Sequence, residues 1–347
     1  MKPQFVIESL MIGEKYPPRV IAEIGINHNG SLEAAIELAS LALESGADII
    51  KHQSHVVEDE MSNEAKSVYP ANSDISIYEI IKKCSLSESD ERKLMEYVKA
   101  RGGIFISTPF SRAAADRLRT FDLPAFKIGS GECNNYPLIK HIAGFGKPVI
   151  LSTGMNTIES VRTAVEILRI FKVPFALLHC TNVYPTPIHL VRLGCIRELR
   201  DAFPDAVIGL SDHTNSNLTS LAATSLGASI IEKHFTDSKH REGPDISSSM
   251  DPRDLQDLKR DTALIHSSLA GNKGPVEEES KTIAFAFASV VATRDIEAGE
   301  MLSEENIWVK RPNGGDFSAK EYELLFGRVA KHQIMGNFQI KKSDLME

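Results

Sequence analysis

Two histidines, His213 and His234, each close a short β-rich run, and the two runs are neighbours in chain order. Side chains at the ends of adjacent parallel strands converge, so the pair could share one divalent ion. Imidazole suits manganese, iron, cobalt or zinc. Two such ligands would leave most of the coordination sphere to water and substrate, as Lewis-acid chemistry requires. The alternative is two polar strand-end histidines with ordinary hydrogen bonds. Lys51 and Lys127 lie near the ends of two other runs. A lysine facing an apolar interior must meet an anion or lose its proton. Together they suit a phosphate or a carboxylate; singly, each could be a structural ion pair with Glu23 or Glu132.

Thr108, Ser130, Ser152, Asn182 and Ser211 end further runs. Hydroxyls, amides and nearby backbone N–H groups at such ends bind phosphate oxygens, although one serine there is usually a helix cap. Glu23 and Glu132 are strand-end carboxylates able to orient a hydroxyl or move a proton. Asp245 follows the last run in a loop over the same mouth; by pattern alone it is a solvated aspartate. Lys233 neighbours His234 and should point the other way, without an assigned role.

The elements that must position these groups are eight β-rich runs, near 20–22, 48–50, 104–106, 125–128, 149–151, 175–178, 207–210 and 230–231. Helical patterns alternate with them. One covers 31–44, with Ser31 as its cap and Gly46 after its end. Another begins at Ser87, and the rest fall near 111–121, 136–145, 157–171, 190–202, 216–226 and 252–270. Such alternation implies right-handed βαβ units and a parallel sheet. Eight units, with no glycine-rich phosphate loop after the first strand, favour an α/β fold of the (β/α)8 TIM-barrel type over a doubly wound sheet. In a barrel all strand C-termini open onto one face, and the candidate residues gather there.

Residues 1–19 read as a lead-in and 55–90 as a polar insertion ending in a short helical piece. A break at Gly271-Asn272-Lys273-Gly274-Pro275 divides a barrel, 1–274, from a linker, 275–284, and a small β-rich domain, 285–347. Strands are expected there from Phe285 to Ala292 and from Ile307 to Arg311. Alone, that domain is near the size at which a core is marginal. It should pack on the barrel or on another subunit.

The chain has 347 residues, 42% hydrophobic and 25% charged, which fits one large soluble domain plus an appendage. A net charge of −8 spread along the chain argues against nucleic-acid binding. None of the four cysteines forms a C-x-x-C pair, which suits reduced structural thiols. There is no secretory leader pattern and no apolar run near the ~20 residues that span a bilayer. The expected location is cytoplasmic, away from membranes.

Several motifs resemble bacterial N-acetylneuraminate (sialic acid) synthases. They are Glu23-Ile24-Gly25-Ile26-Asn27-His28-Asn29-Gly30, Lys51-His52-Gln53, Ser107-Thr108-Pro109-Phe110 and Lys127-Ile128-Gly129-Ser130-Gly131-Glu132, then His179-Cys180-Thr181-Asn182-Val183-Tyr184-Pro185, Gly209-Leu210-Ser211-Asp212-His213-Thr214 and Glu232-Lys233-His234-Phe235-Thr236. The tail, with Phe285 to Val291 and Trp308 to Arg311, resembles the antifreeze-like (SAF) domain of that family. The resemblance implies condensation of phosphoenolpyruvate with N-acetylmannosamine and water to give N-acetylneuraminate and phosphate. It implies phosphoenolpyruvate contacts from Lys51, Thr108, Lys127, Ser130, Ser152, Asn182 and Ser211. His213 and His234 would hold a divalent metal, manganese first, with magnesium or cobalt as alternatives. Glu23, Gln53, Tyr184, Asp245 and Phe285 would surround the sugar, and Glu132 the reacting carbons. Arg311 would reach the N-acetyl group in the partner subunit's site, which implies a domain-swapped homodimer.

Three other readings compete. A Schiff-base aldolase would use Lys127 or Lys51 as nucleophile, leaving the histidines without a task. A non-catalytic ice- or surface-binding protein would need no polar rim. Legionaminic or pseudaminic acid synthases share the chemistry with other sugars. The segments 51–55 and 131–136 look closer to the N-acetylneuraminate branch, and Gln53, Asn72, Tyr184 and Phe285 would report the choice.

Overall fold

The computed structural model describes residues 2–69, 74–243 and 245–346. It separates into two compact units, Met1–Ala270 and Gly271–Glu347. Asn72 lies outside the described residues.

The first unit is the expected barrel. Strands β3 (Arg19–Glu23), β4 (Ile49–Ser54), β5 (Ile104–Pro109), β6 (Phe126–Ile128), β7 (Val149–Ser152), β8 (Phe175–Cys180), β9 (Val207–Asp212) and β10 (Ile230–His234) close in sequence order, and β10 pairs with β3. Neighbouring strands are parallel, and a helix follows each one. The helix starts are written in the sequence. Side chains of Ser31, Ser87, Ser111, Asn135, Thr157 and Asp251 each accept a first-turn backbone N–H, which relieves groups the helix leaves unpaired. The helix expected over 190–202 is divided. A single turn, Ile188–Val191, ends at Arg192 in a left-handed conformation (φ 53°), and Cys195–Ala202 follows.

The lead-in has a structure of its own. Residues 1–19 contain an antiparallel hairpin, β1 (Gln4–Ile7) and β2 (Leu10–Gly13), with Phe5 opposite Ile12. Phe5, Ile7 and Ile12 join Ile21, Ile49, Ile104, Ile150 and Ile230 in one apolar cluster. They fill the barrel at the N-terminal ends of its strands. A second, larger cluster joins the outer strand faces to the helices, as Ala22, Ile50 and Phe105 with Leu38, Leu94 and Leu118 show.

The second unit has its own core of Val290, Ala292, Ile296, Leu302, Ile307, Leu325, Ala330, Ile334, Ile340 and Leu345. An antiparallel pair, β11 (Ser289–Ala292) and β12 (Ile307–Lys310), anchors it. The expected strand from Phe285 begins later, because Ser280–Ala286 is a helix and carries Phe285. Alternating Phe and Ala imitate a strand, but no side chain of this segment is buried. Without a sheet face to cover, alanine's helical preference prevails. Among the described residues no helix is long and apolar enough to cross a membrane.

Candidate active site

Successive strand side chains face opposite sides. On β10, Ile230 joins the interior cluster and Ile231 the outer one. Glu232 and His234 therefore face inward with Ile230, and Lys233 faces the helices. The same rule puts Ile49, Lys51 and Gln53 of β4 inward. Toward the strand C-termini, aliphatic interior positions give way to polar and ionisable ones.

Two buried lysines organise this end. Lys127 Nζ donates to Ser152 Oγ at 2.8 Å and lies 3.2 Å from Glu232 Oε1. Lys51 Nζ donates to Thr108 Oγ1 at 3.3 Å, touches the Glu23 carboxylate and lies 3.8 Å from Glu232 Oε1. Glu23 also accepts the Gly25 N–H at 2.6 Å, and Ser211 Oγ donates to Glu232 at 3.1 Å. Burial pushes the Lys51 ammonium down to about 7 against the pull of Glu232, and the Lys127 charge adds to the drop. Burial works to raise the Glu232 carboxyl, but Lys127 and Lys51 outweigh it and hold it below its ordinary value. An incoming anion would compete with Glu23 and Glu232 for the two ammonium groups.

The shared carboxylate is thus Glu232, not Glu132. Glu132 sits half-buried on the single turn Ser130–Glu132, where Asn135 Nδ2 donates to it at 2.6 Å. Burial raises its pKa, and the Asn135 bond opposes that rise. Glu232 was absent from the sequence-based site, although period-two alternation places it on the same face as His234.

Beside the lysines, Ser130 Oγ accepts the Gly154 N–H at 3.0 Å. A Cβ on Gly154 would stand 1.9 Å from Asn182 Oδ1 and 2.9 Å from Ser130 Oγ. Only glycine permits that approach. Ser130, Asn182 and the Gly154 backbone therefore enclose one small polar space.

The two histidines do converge. Their ring centroids are 5.4 Å apart. The Tyr184 ring lies 4.2 Å from His213 and meets His234 edge-on at 5.9 Å. His213 Nδ1 is 3.0 Å from the Thr181 carbonyl, which can only accept. The proton is therefore assigned to Nδ1, and Nε2 is left as a bare donor atom for a metal. His234 Nδ1 lies 3.5 Å from Asp245 Oδ2 and makes no hydrogen bond among the described residues. Burial lowers both imidazole pKa values, His213 to about 4. Both rings are neutral near pH 7, the form that binds metals. No group of three or more His, Cys, Asp or Glu side chains able to hold a metal occurs among the described residues. The pair fits an ion that fills its other positions with water or substrate. Asp245 is not the solvated residue its pattern suggests. Its side chain is 15% exposed, and burial pushes its pKa up to about 7 against Lys51.

Gln53 lies at the edge, with Nε2 donating to the Gly25 carbonyl at 3.4 Å and Oε1 3.2 Å from His55 Nε2. Phe285 and Arg311 belong to the second unit. Phe285 is exposed. Arg311 lines a cleft of about 450 Å³ with Lys310, Pro312, Asn337, Phe338 and Gln339. Behind β3 and β4, the Gly30 N–H donates to His28 Nδ1 at 3.1 Å. His28 must then donate from Nε2 to His52 Nε2, 3.2 Å away.

Residues 38–274 match the NeuB family, and residues 287–346 match the SAF domain. An N,N'-diacetyllegionaminic acid synthase of Campylobacter jejuni is 38% identical over 319 residues, covering 90% of this chain and 95% of that protein. The N-acetylneuraminate-9-phosphate synthase of Homo sapiens is 32% identical over 303 residues, covering 86% and 84%. The crystal structure of an N-acetylneuraminic acid synthetase from Leptospira borgpetersenii superposes with a TM-score of 0.75 at 29% identity, covering 82% of this chain and 96% of that one. The barrel with its polar end, and the β-rich unit behind it in sequence, belong to a member of the NeuB family that carries a C-terminal SAF domain.

Proposed function

We propose that the chain condenses phosphoenolpyruvate with the open-chain aldehyde of N-acetylmannosamine and water, releasing N-acetylneuraminate and phosphate. The observation that carries this reading is the juxtaposition of two lysines and a ring of hydroxyls with two neutral imidazoles. Phosphoenolpyruvate is a weak carbon nucleophile with two anionic groups. Lys51, Lys127, Thr108, Ser130, Ser152, Asn182 and Ser211 would hold those groups in place. His213 and His234 would hold a divalent cation, manganese first, which supplies Lewis-acid stabilisation of charge developing on the aldehyde oxygen. Glu23, Gln53, Tyr184 and Asp245 would orient the sugar, and Asp245, titrating near neutrality, suits proton transfer. Glu132 would stabilise positive charge on the second carbon of phosphoenolpyruvate or take a proton from the attacking water. Phosphate then leaves by C–O cleavage. On the same reading Arg311 and Phe285 serve the sugar site of a second copy, so the working unit is a homodimer that exchanges its C-terminal domains.

The Campylobacter jejuni relative supports a second reading, with a 2,4-diacetamido-2,4,6-trideoxy sugar as acceptor. One experiment separates the two. Phosphate release from phosphoenolpyruvate is followed with chelator-stripped protein, with and without manganese, offering each sugar in turn. Release that needs both manganese and N-acetylmannosamine is the expected result. Release with the diacetamido sugar alone would move the substrate. No release with either would overturn the proposal.

A further inference from the structure

Lys233 has no place in the chemistry above, yet it is among the most deeply buried charged groups of the barrel. Its side chain is 1% exposed, as is that of Asp212, and the two are register partners on β10 and β9. Both point outward, toward a layer that is otherwise aliphatic at neighbouring positions such as Ile208, Leu210 and Ile231. Replacing such a pair with apolar residues often costs nothing or stabilises. Stability alone therefore does not account for it.

The bonds it makes suggest what does. Lys233 Nζ donates to the Thr214 carbonyl at 2.5 Å and lies 3.4 Å from Asp212 Oδ2. Asp212 Oδ1 accepts the Thr214 N–H at 2.9 Å. Its Oδ2 accepts the Thr219 and Ser220 hydroxyls, each at 2.7 Å. The residues on both sides of His213 are thus clamped by one ammonium group. That group belongs to the residue directly before His234. A single buried ion pair ties together the two backbone segments that carry both histidines, and every polar atom in it is satisfied.

We infer that Lys233 and Asp212 are positioning residues. They fix the separation and orientation of His213 and His234, and through them the affinity of the site for a divalent ion. This rests on the two-histidine metal reading proposed above. Both residues face the helix layer and not the barrel interior, and removing either leaves both imidazoles in the chain. The expected loss is one of geometry. Outer groups that orient metal-bound histidines typically change metal affinity about 10–100-fold.

The test is manganese binding to the full chain, followed by the electron-paramagnetic-resonance signal of free and bound Mn2+, alongside thermal unfolding and phosphoenolpyruvate affinity. Lys233→Met should weaken Mn2+ binding about 10–100-fold and broaden the bound signal, with a much smaller change for phosphoenolpyruvate. A lone change risks misfolding by stranding the other charge. The double variant Asp212→Leu/Lys233→Met removes both charges, and should stay folded yet show the same loss of Mn2+ affinity. Wild-type Mn2+ affinity in the folded double variant would overturn the inference and reduce the pair to a structural role. A wild-type chain that binds no Mn2+ would overturn the metal reading itself, and the inference with it.

Discussion

The two ends of the barrel interior are built on the same strands and have opposite characters. At the N-terminal end Ile21, Ile49, Ile150, Leu178 and Ile230 face one another beneath Phe5, Ile7 and Ile12 of the hairpin. Two residues further along each strand stand Glu23, Lys51, Ser152, Cys180 and Glu232. The step from one set to the other is a single period of the strand. It moves the interior from dry packing, where volume decides stability, to a low-dielectric space where charges persist only by pairing. The apolar end can then hold the strands rigidly enough for the polar end to carry groups whose charged forms burial disfavours.

This division can be tested one strand at a time. Ile49→Ala, on the dry side of β4, should destabilise the fold by about 2–5 kcal/mol. It should leave the KM for phosphoenolpyruvate within about twofold; a large KM change would show that the two ends are not separable. Lys127→Met, on the polar side, should lower kcat/KM by about 10²–10³-fold; it should also cost stability, because buried Glu232 is left with only the more distant Lys51. Near-wild-type turnover would remove Lys127 from the site. Gly154→Ala places a methyl against Asn182 and Ser130. It should raise the KM for phosphoenolpyruvate about 10–100-fold, or about 1.4–2.7 kcal/mol, which lies within the usual cost of overpacking. An unchanged KM would mean that this space is not the anion's.

The smallest effect concerns acid. Burial lowers the His28 pKa from 6.5 to about 4, and the His55 and Arg241 charges add to the shift. The unfolded chain therefore binds the proton more readily, and stability falls as pH drops from 6.5 toward 4. Between pH 6.5 and 5 this one residue should account for no more than about 2 kcal/mol. In His28→Asn, denaturant unfolding should show a flatter acid limb. An unaltered limb would place the acid sensitivity elsewhere.

The barrel and most of its polar end were legible because strand ends, helix caps and period-two alternation are local signals. The hairpin was not. Its turn passes through Glu8 at φ 51°, and neither Glu8 nor Ser9 is one of the asparagine or glycine residues that announce such turns. Phe285 misled because a short Phe–Ala alternation fits a strand as well as a helix. The carboxylate shared by the lysines was visible in principle, since Glu232 lies two residues before His234, but the choice between Glu132 and Glu232 depends on which strands meet across the barrel. Asp245 depends on how its loop folds back, which no local pattern states.

The most direct test of where the anion binds is a calorimetric titration of phosphoenolpyruvate into metal-free protein, comparing wild type, Ile49→Ala and Lys127→Met. Wild type and Ile49→Ala should bind with the same affinity, and Lys127→Met about 10²-fold or more weakly. Equal affinity in all three would contradict the claim that the polar end of the barrel is where the anion binds.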